Sequence, residues 1–278
     1  MGADLSIERV DAAELTPESF VARYQRTSTP VVVTGLFEGM EEWSPAHLLA
    51  TLGERVFRVR FYGADKFAQD KSRWRQYSTD RDVSFRAYAE MLRDGSALRE
   101  RAYMGQVPLT GTPLDGPPLS SLASRLGLEP RSPLNLWCGP AGHTEPLHHD
   151  THDGTLVQLY GEKRVALFSP AESRNLYPFG FFNRAIGFRF SRVYIDRPDF
   201  VAFPRLAKAL RSKRVATLGP GEVLFIPARW WHEVSSLGEQ MVCSVNRFWR
   251  VVPWHRTAKT RLLARAHLEY LKRFPERG

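Results

Sequence analysis

Hydrophobic and polar positions alternate, or cluster in short runs, along most of this 278-residue chain. Val56-Phe57-Arg58-Val59-Arg60-Phe61-Tyr62 alternates with a period of two, which predicts a strand with one face in a core. Val31-Val32-Val33 follows Thr29-Pro30 and predicts a short buried strand. Beyond about Arg101 the apolar runs become β-branched and aromatic and are separated by Gly and Pro turns. They fall at 134–138, 155–160, 164–168, 215–218, 223–226 and 241–249. Many short strands at this spacing predict a sandwich, jelly roll or barrel. Tyr160-Gly161-Glu162-Lys163 fits a two-residue hairpin turn with Gly in its first central position, and Leu218-Gly219-Pro220-Gly221-Glu222 fits another tight turn.

Helical signals flank these strands. Thr16 caps a helix opening with Pro17, with Ser19 where a glutamate would complete a capping box. Ser44 caps another before Pro45, and a third is predicted over 84–93. An aromatic-rich insertion spans 181–203, and a helix is predicted over 203–214. The last helix, 257–274, can place Leu263, Ala266, Tyr270 and Phe274 on one face. No repeat, linker or low-complexity stretch interrupts the chain. The expectation is one domain over 1–278: a mixed α/β part over 1–105, a jelly-roll core over 106–250 and a C-terminal helix over 251–278. The fold class is mainly β with flanking helices.

A content of 43% hydrophobic and 25% charged residues is that of an ordinary soluble globular protein. The two cysteines, Cys138 and Cys243, lie in apolar runs, which predicts buried free thiols and excludes a disulfide framework or CxxC site. The first ten residues carry no signal-peptide pattern, and no apolar run approaches the ~20 residues of a membrane span. The expectation is a cytoplasmic protein with no membrane partner. The net charge of +9 is uneven: nine Lys/Arg against two acids follow Val245, and Arg205, Lys208, Arg211, Lys213 and Arg214 have no acid among them. Such faces are either simply solvated or attract phosphates and acidic peptides.

Candidate chemistry concentrates in Gly142-His143-Thr144-Glu145-Pro146-Leu147-His148-His149-Asp150-Thr151-His152-Asp153, which holds four of the eight histidines. Pro146 favours an extended entry, so His148 and Asp150 share one face and His149 points the other way. One imidazole and one carboxylate on a common face need one more ligand to form the two-histidine, one-carboxylate triad that suits non-haem Fe(II). His232, in Phe225-Ile226-Pro227-Ala228-Arg229-Trp230-Trp231-His232-Glu233, is the candidate. His47 and His267 sit in helical patterns and are expected at the surface. His143, His149 and His152 are expected to support the site, face substrate or be merely polar. A zinc-protease HExxH and a GxSxG elbow are both absent.

Taken with PVVVTGL at 30–36, PLHHD, QLYGEKR, LFSP, GPGEVLFIPARWWHEV and SVNRFW, these motifs resemble the JmjC/cupin-like Fe(II)- and 2-oxoglutarate-dependent oxygenases, in particular the relatives of the asparaginyl hydroxylase of hypoxia-inducible factor. The resemblance covers most of the chain and implies a double-stranded β-helix core. It implies His148, Asp150 and His232 as catalytic iron ligands, with 2-oxoglutarate and O₂ as cosubstrates. It also implies Lys163 on the distal 2-oxoglutarate carboxylate, with Tyr103, Asn246 and Thr144 nearby. Glu145 stands where many members have threonine and Gly154 where many have asparagine; Thr144 or Thr155 is expected to compensate. The implied reaction is hydroxylation of an unactivated C–H bond, with succinate and CO₂ as co-products. The expected substrate is a peptide or protein side chain, with a small metabolite or a tRNA base as alternatives. Histone demethylation is disfavoured by the chain's length and lack of a reader module. A non-catalytic cupin-fold binding protein using its basic tail is the reading from another class. A homodimer through the C-terminal helix is a further expectation.

Overall fold

The computed structural model describes residues 4–37, 43–63, 71, 77–183, 187–239 and 241–273. Among them run fourteen strands: β1 (Leu5–Ser6), β2 (Glu8–Asp11), β3 (Val31–Thr34), β4 (Val56–Phe61), β5 (Thr79–Ser84), β6 (Ala102–Pro108), β7 (Asn135–Pro140), β8 (Thr144–His149), β9 (Asp153–Tyr160), β10 (Glu162–Phe168), β11 (Arg214–Leu218), β12 (Val223–Ile226), β13 (Trp231–Leu237) and β14 (Met241–Trp249). They form a small sheet ordered β1-β11-β10-β13-β8 and a large one ordered β2-β3-β12-β9-β14-β7-β6-β4-β5.

From β7 to β14 the chain passes repeatedly between the sheets, four strands to each, which is the jelly-roll arrangement the strand pattern suggested. This corrects one turn. Gly161 does not close a hairpin, because β9 pairs with β12 and β14 while β10 pairs with β11 and β13. Its φ of +68° instead turns the chain from one sheet to the other, and an added Cβ would press on Met241 O at 3.0 Å. Lys163 is therefore carried into the interior rather than left at an exposed turn.

The N-terminal third is built onto both sheets. β1 extends the small sheet, while β2 to β6 extend the large one. The expected division at 105 falls inside β6. Helices Pro17–Phe20, Pro45–Leu52 and Phe85–Arg93 begin at Thr16, Ser44 and Ser84, each capping with its hydroxyl. At the first, Ser19 itself completes the reciprocal capping box. These helices bury Phe20, Leu48, Leu52, Phe85 and Tyr88 against Val157, Phe225, Cys138 and Cys243 on the outer face of the large sheet. Each such side chain contributes roughly 1.5–3 kcal/mol on leaving water. Both cysteines are buried and free. Between the sheets, Val165, Leu167 and Leu218 meet Val32, Leu156 and Leu224 and plug one end of the barrel.

Two helical expectations change. Only Leu206–Leu210 is helical within 203–214, because Arg214 already belongs to β11. The C-terminal helix is Ala258–Arg273; Phe274 lies outside the described residues. Its buried residue is His267 rather than Leu263 or Ala266. Phe181 and Phe188 of the insertion pack edge-on against the His267 ring at 5.3 and 5.8 Å, a long-range contact that helical spacing does not reveal. Leu262, Leu263 and Leu268 remain exposed. Among the described residues no helix is long and apolar enough to cross a membrane.

Candidate metal centre and its cavity

His148 is the penultimate residue of β8, Asp150 follows the end of that strand, and His232 lies directly opposite His148 on β13. Their ligand atoms all lie within 4.8 Å of one another. His232 Nε2 is 3.6 Å from Asp150 Oδ2, and the two imidazole centroids are 4.2 Å apart. Backbone carbonyls set both tautomers. His148 Nδ1–H donates to Pro146 O at 2.7 Å and His232 Nδ1–H to Trp230 O at 3.0 Å, leaving each Nε2 lone pair for a metal. Burial, with His148 beside it, pushes His232 down to about 4, so it stays neutral at ordinary pH. Burial pushes Asp150 up, but His148, His232 and Arg189 outweigh it and hold the carboxyl below its ordinary value. A neutral His232 imidazole, a His148 ring presenting its Nε2 lone pair and an ionised carboxylate make a donor set suited to a divalent cation.

The cavity behind the triad is shaped by two bulges. Across β8 and β13, His148 faces His232 while Glu145 faces Val234, so β8 carries one extra residue. The bulge turns Glu145 onto the same face as His148. Glu145 lines the cavity, whereas Thr144 pairs with Ser235, their hydroxyls 3.2 Å apart. In β6 the register slips between Met104 and Val107, and Gln106 takes a φ of +56°. Tyr103 and Gln106 thereby both reach the cavity wall. Strict alternation predicts neither arrangement.

Opposite the metal ligands, Lys163 is 2% exposed. Its ammonium donates to Ser244 Oγ at 2.6 Å and Tyr103 Oη at 3.4 Å. Burial pulls it down to about 8, partly opposed by Cys243, Cys138 and Glu145. The Tyr103 ring stacks on His143, centroids 3.5 Å apart and planes within 1°. The Cδ2–Cε2 edge of the same ring lies so close to Gly139 that a Cβ there would clash with it. Gly139 was not singled out by sequence, where one glycine in a strand is only a weak sign of close approach. Asn246 lines the cavity and accepts a hydrogen bond from Trp137 Nε1 at 2.8 Å. Thr155 Oγ1 accepts from Trp249 Nε1 at 3.0 Å. A Cβ at Gly154 would sit 3.7 Å from Phe248, an ordinary contact, so there is room for a side chain. Six of the seven candidate residues thus share one cavity, and Thr144 is outside its lining.

The remaining histidines part company. His149 points away from the cavity, edge-on to Trp231 at 4.7 Å, and burial pushes it down to about 4. His152 lines the outer cleft and accepts from Arg261 at 2.8 Å. Asp153 is a positioning residue that sequence reading did not single out. Fully buried, it accepts from Ala228 N at 2.8 Å, Arg256 at 3.1 Å and Gln25 at 3.2 Å. It ties the segment after Asp150 to the turn before His232.

Residues 17–254 match the family model described as a cupin-like domain. The chain belongs to the cupin-like domain family. Similar curated proteins include Lysine-specific demethylase 8 of Xenopus tropicalis, 29% identical over 84% of this chain and 50% of that protein. Lysine-specific demethylase JMJ30 of Arabidopsis thaliana is 32% identical over 88% of this chain and 56% of its own length. HSPB1-associated protein 1 of Bos taurus is 38% identical over 46% of this chain and 27% of that protein. The chain therefore spans about half the length, or less, of the relatives it matches. The donor set and the buried ammonium across the cavity fit an Fe(II), 2-oxoglutarate and O₂ centre of the JmjC kind.

Proposed function

We propose that the chain is an Fe(II)- and 2-oxoglutarate-dependent oxygenase that hydroxylates a C–H bond of a peptide or protein side chain. The observation that carries this reading is the His148, Asp150 and His232 cluster facing Lys163 across one closed-ended cavity. Iron with 2-oxoglutarate and O₂, when bound, supplies the oxidation and releases succinate and CO₂. The chain's own residues position and protect. His148, Asp150 and His232 offer one face of ligands and leave the side toward the cleft open. Lys163, with the Ser244 and Tyr103 hydroxyls, receives the distal carboxylate of a dicarboxylate whose other end reaches the metal. Trp137, Phe190 and Phe248 narrow the outer cleft and limit water at the reacting carbon. The relatives' names refer to lysine demethylases, which favours a protein target over a metabolite or tRNA base.

Anaerobic titration of the folded protein with Fe(II) and 2-oxoglutarate is expected to give the weak visible charge-transfer band of the chelate. No band would remove the reading. A mass gain of one oxygen on substrate, without formaldehyde, separates hydroxylation from demethylation.

Glu145 places a second negative group in the cavity that would receive 2-oxoglutarate. Like charges near 8 Å apart at an effective dielectric of about 20 repel by about 2 kcal/mol. Glu145→Thr is therefore expected to tighten 2-oxoglutarate binding roughly 30-fold by calorimetry at pH 6.5. Above about pH 8 the gain is expected to shrink, because Glu145 also helps keep Lys163 charged. The exposed Leu262, Leu263 and Leu268 support a homodimer through the C-terminal helix. Leu262→Glu with Leu268→Glu is expected to yield monomer by sizing; an unchanged elution volume would argue against that interface.

A further inference from the structure

The mouth of the cleft is electrically lopsided. On one rim, Arg58 and Arg60 of β4 are matched by Asp82 and Asp80 of β5 at 3.0 and 2.9 Å. These pairs leave little net charge. On the opposite rim, around Thr151 and His152, guanidinium groups outnumber carboxylates among the described residues. The carboxylate near Arg189 is Asp150, at 3.5 Å, and that carboxylate belongs to the metal site. Arg261 reaches from the C-terminal helix to His152 Nε2, so its partner is a ring nitrogen rather than a carboxylate. Arg131 lies 3.8 Å from Glu129, whose other oxygen already takes Arg250 at 2.8 Å, so two cations share one carboxylate. Arg189 lines the cleft beside Thr151 and His152, and Arg261 reaches His152 from the C-terminal helix, so both guanidinium groups belong to this side.

A divalent cation on Asp150 sharpens the imbalance. It competes for the carboxylate that Arg189 faces and places more positive charge beside it. An anion at the mouth offsets both. The Arg189 side chain is 41% exposed, so it can reach an incoming group. Arg261 uses one N–H on His152 and keeps others for a carboxylate.

We propose that the Thr151–His152 rim is an anion subsite, in which Arg189 and Arg261 hold an acidic side chain of the peptide substrate beside the residue that enters the cleft. The proposal takes its peptide substrate from the oxygenase reading, but the subsite itself needs no turnover. A nucleic acid would need a continuous run of unmatched cations along its phosphates. Here the positive rim is short and the facing rim is neutralised, which suits one or two acidic residues of a peptide.

The test is fluorescence anisotropy with labelled hexaglutamate and hexaglutamine peptides, on the full chain with and without Mn(II) and 2-oxoglutarate. Hexaglutamate is expected to bind at least about tenfold more tightly than hexaglutamine. Arg189→Glu and Arg261→Glu are each expected to remove most of that preference, while Arg189→Lys retains much of it. Arg93→Glu changes the net charge equally, on the helix Phe85–Arg93 outside the cleft, and is expected to leave it intact. Equal binding of the two peptides, or an equal loss in Arg93→Glu, would overturn the subsite. Tighter binding of a hexauridylate that is lost in Arg189→Glu would reassign the rim to nucleic acid. Charge-blind binding beside normal 2-oxoglutarate uptake removes this proposal alone. Acidic-peptide binding without 2-oxoglutarate uptake removes the oxygenase reading alone.

Discussion

Lys163→Met is expected to make the unliganded protein more stable while lowering 2-oxoglutarate affinity roughly 100-fold. Lys163 is buried, and that burial pulls its ammonium from the ordinary 10.5 down to about 8. The corresponding cost of holding the charge in the folded chain near pH 7 is about 3 kcal/mol. Losing the hydrogen bonds to Ser244 and Tyr103 offsets about 1–2 kcal/mol of that. A net gain of about 1–2 kcal/mol should appear as a higher urea midpoint at unchanged slope. The same charge is what a distal carboxylate would bind, so calorimetry on the variant should find little 2-oxoglutarate uptake.

The pH dependence has two opposite signs. Between about pH 8 and 10.5 the unfolded chain holds a proton on Lys163 that the folded chain has released. This group's contribution to stability is therefore full above 10.5 and is lost as pH falls through about 8. Ligand binding runs the other way, because the dicarboxylate needs the ammonium. The thermal shift produced by 2-oxoglutarate should shrink as pH rises past about 8, and Lys163→Met should flatten it. A shift that is constant from pH 7 to 9.5 would mean that Lys163 does not hold the carboxylate.

Strand alternation is enough to place His148 and Asp150 on one side of the chain and His149 on the other, because the stretch that leads into them is extended and period two assigns the face. The strands of the core were legible for the same reason: β-branched and aromatic runs of four to nine residues, each bounded by a turn. Three features were hidden because they depend on residues far away in sequence. Gly161 looks like a hairpin locally, and the partners of β9 and β10 decide otherwise. Glu145 and Thr144 exchange faces through a bulge visible only in the register against β13. His267 is buried by an insertion that no helical period reports. His232 lies 82 residues beyond Asp150, and family resemblance strengthened its choice, since alternation cannot relate strands it has not paired.

Asp153→Ala should cost about 3–5 kcal/mol of folding stability and weaken metal binding without touching a ligand. The carboxylate is fully buried, and Arg256, with a side chain only 13% exposed, is its ion-pair partner at 3.1 Å. Removing one member leaves the guanidinium without its carboxylate and the Ala228 N–H unanswered, while the Gln25 amide keeps its bond to Arg250 O. Each orphaned group costs about 1–3 kcal/mol. The effect on metal follows from connectivity. Ala228 opens the turn through which Arg229 N donates to Asp150 O at 2.8 Å and from which Trp230 O fixes His232. Loosening this turn frees the His232 ring and the backbone of Asp150 together. Asp153→Asn keeps an acceptor for Ala228 N but loses the charge toward Arg256, so it should fall between wild type and Asp153→Ala. Urea unfolding of the unliganded protein, paired with Mn(II) titration, separates the two consequences. A destabilised Asp153→Ala protein that binds Mn(II) as tightly as wild type would show that the triad is held by its strands alone.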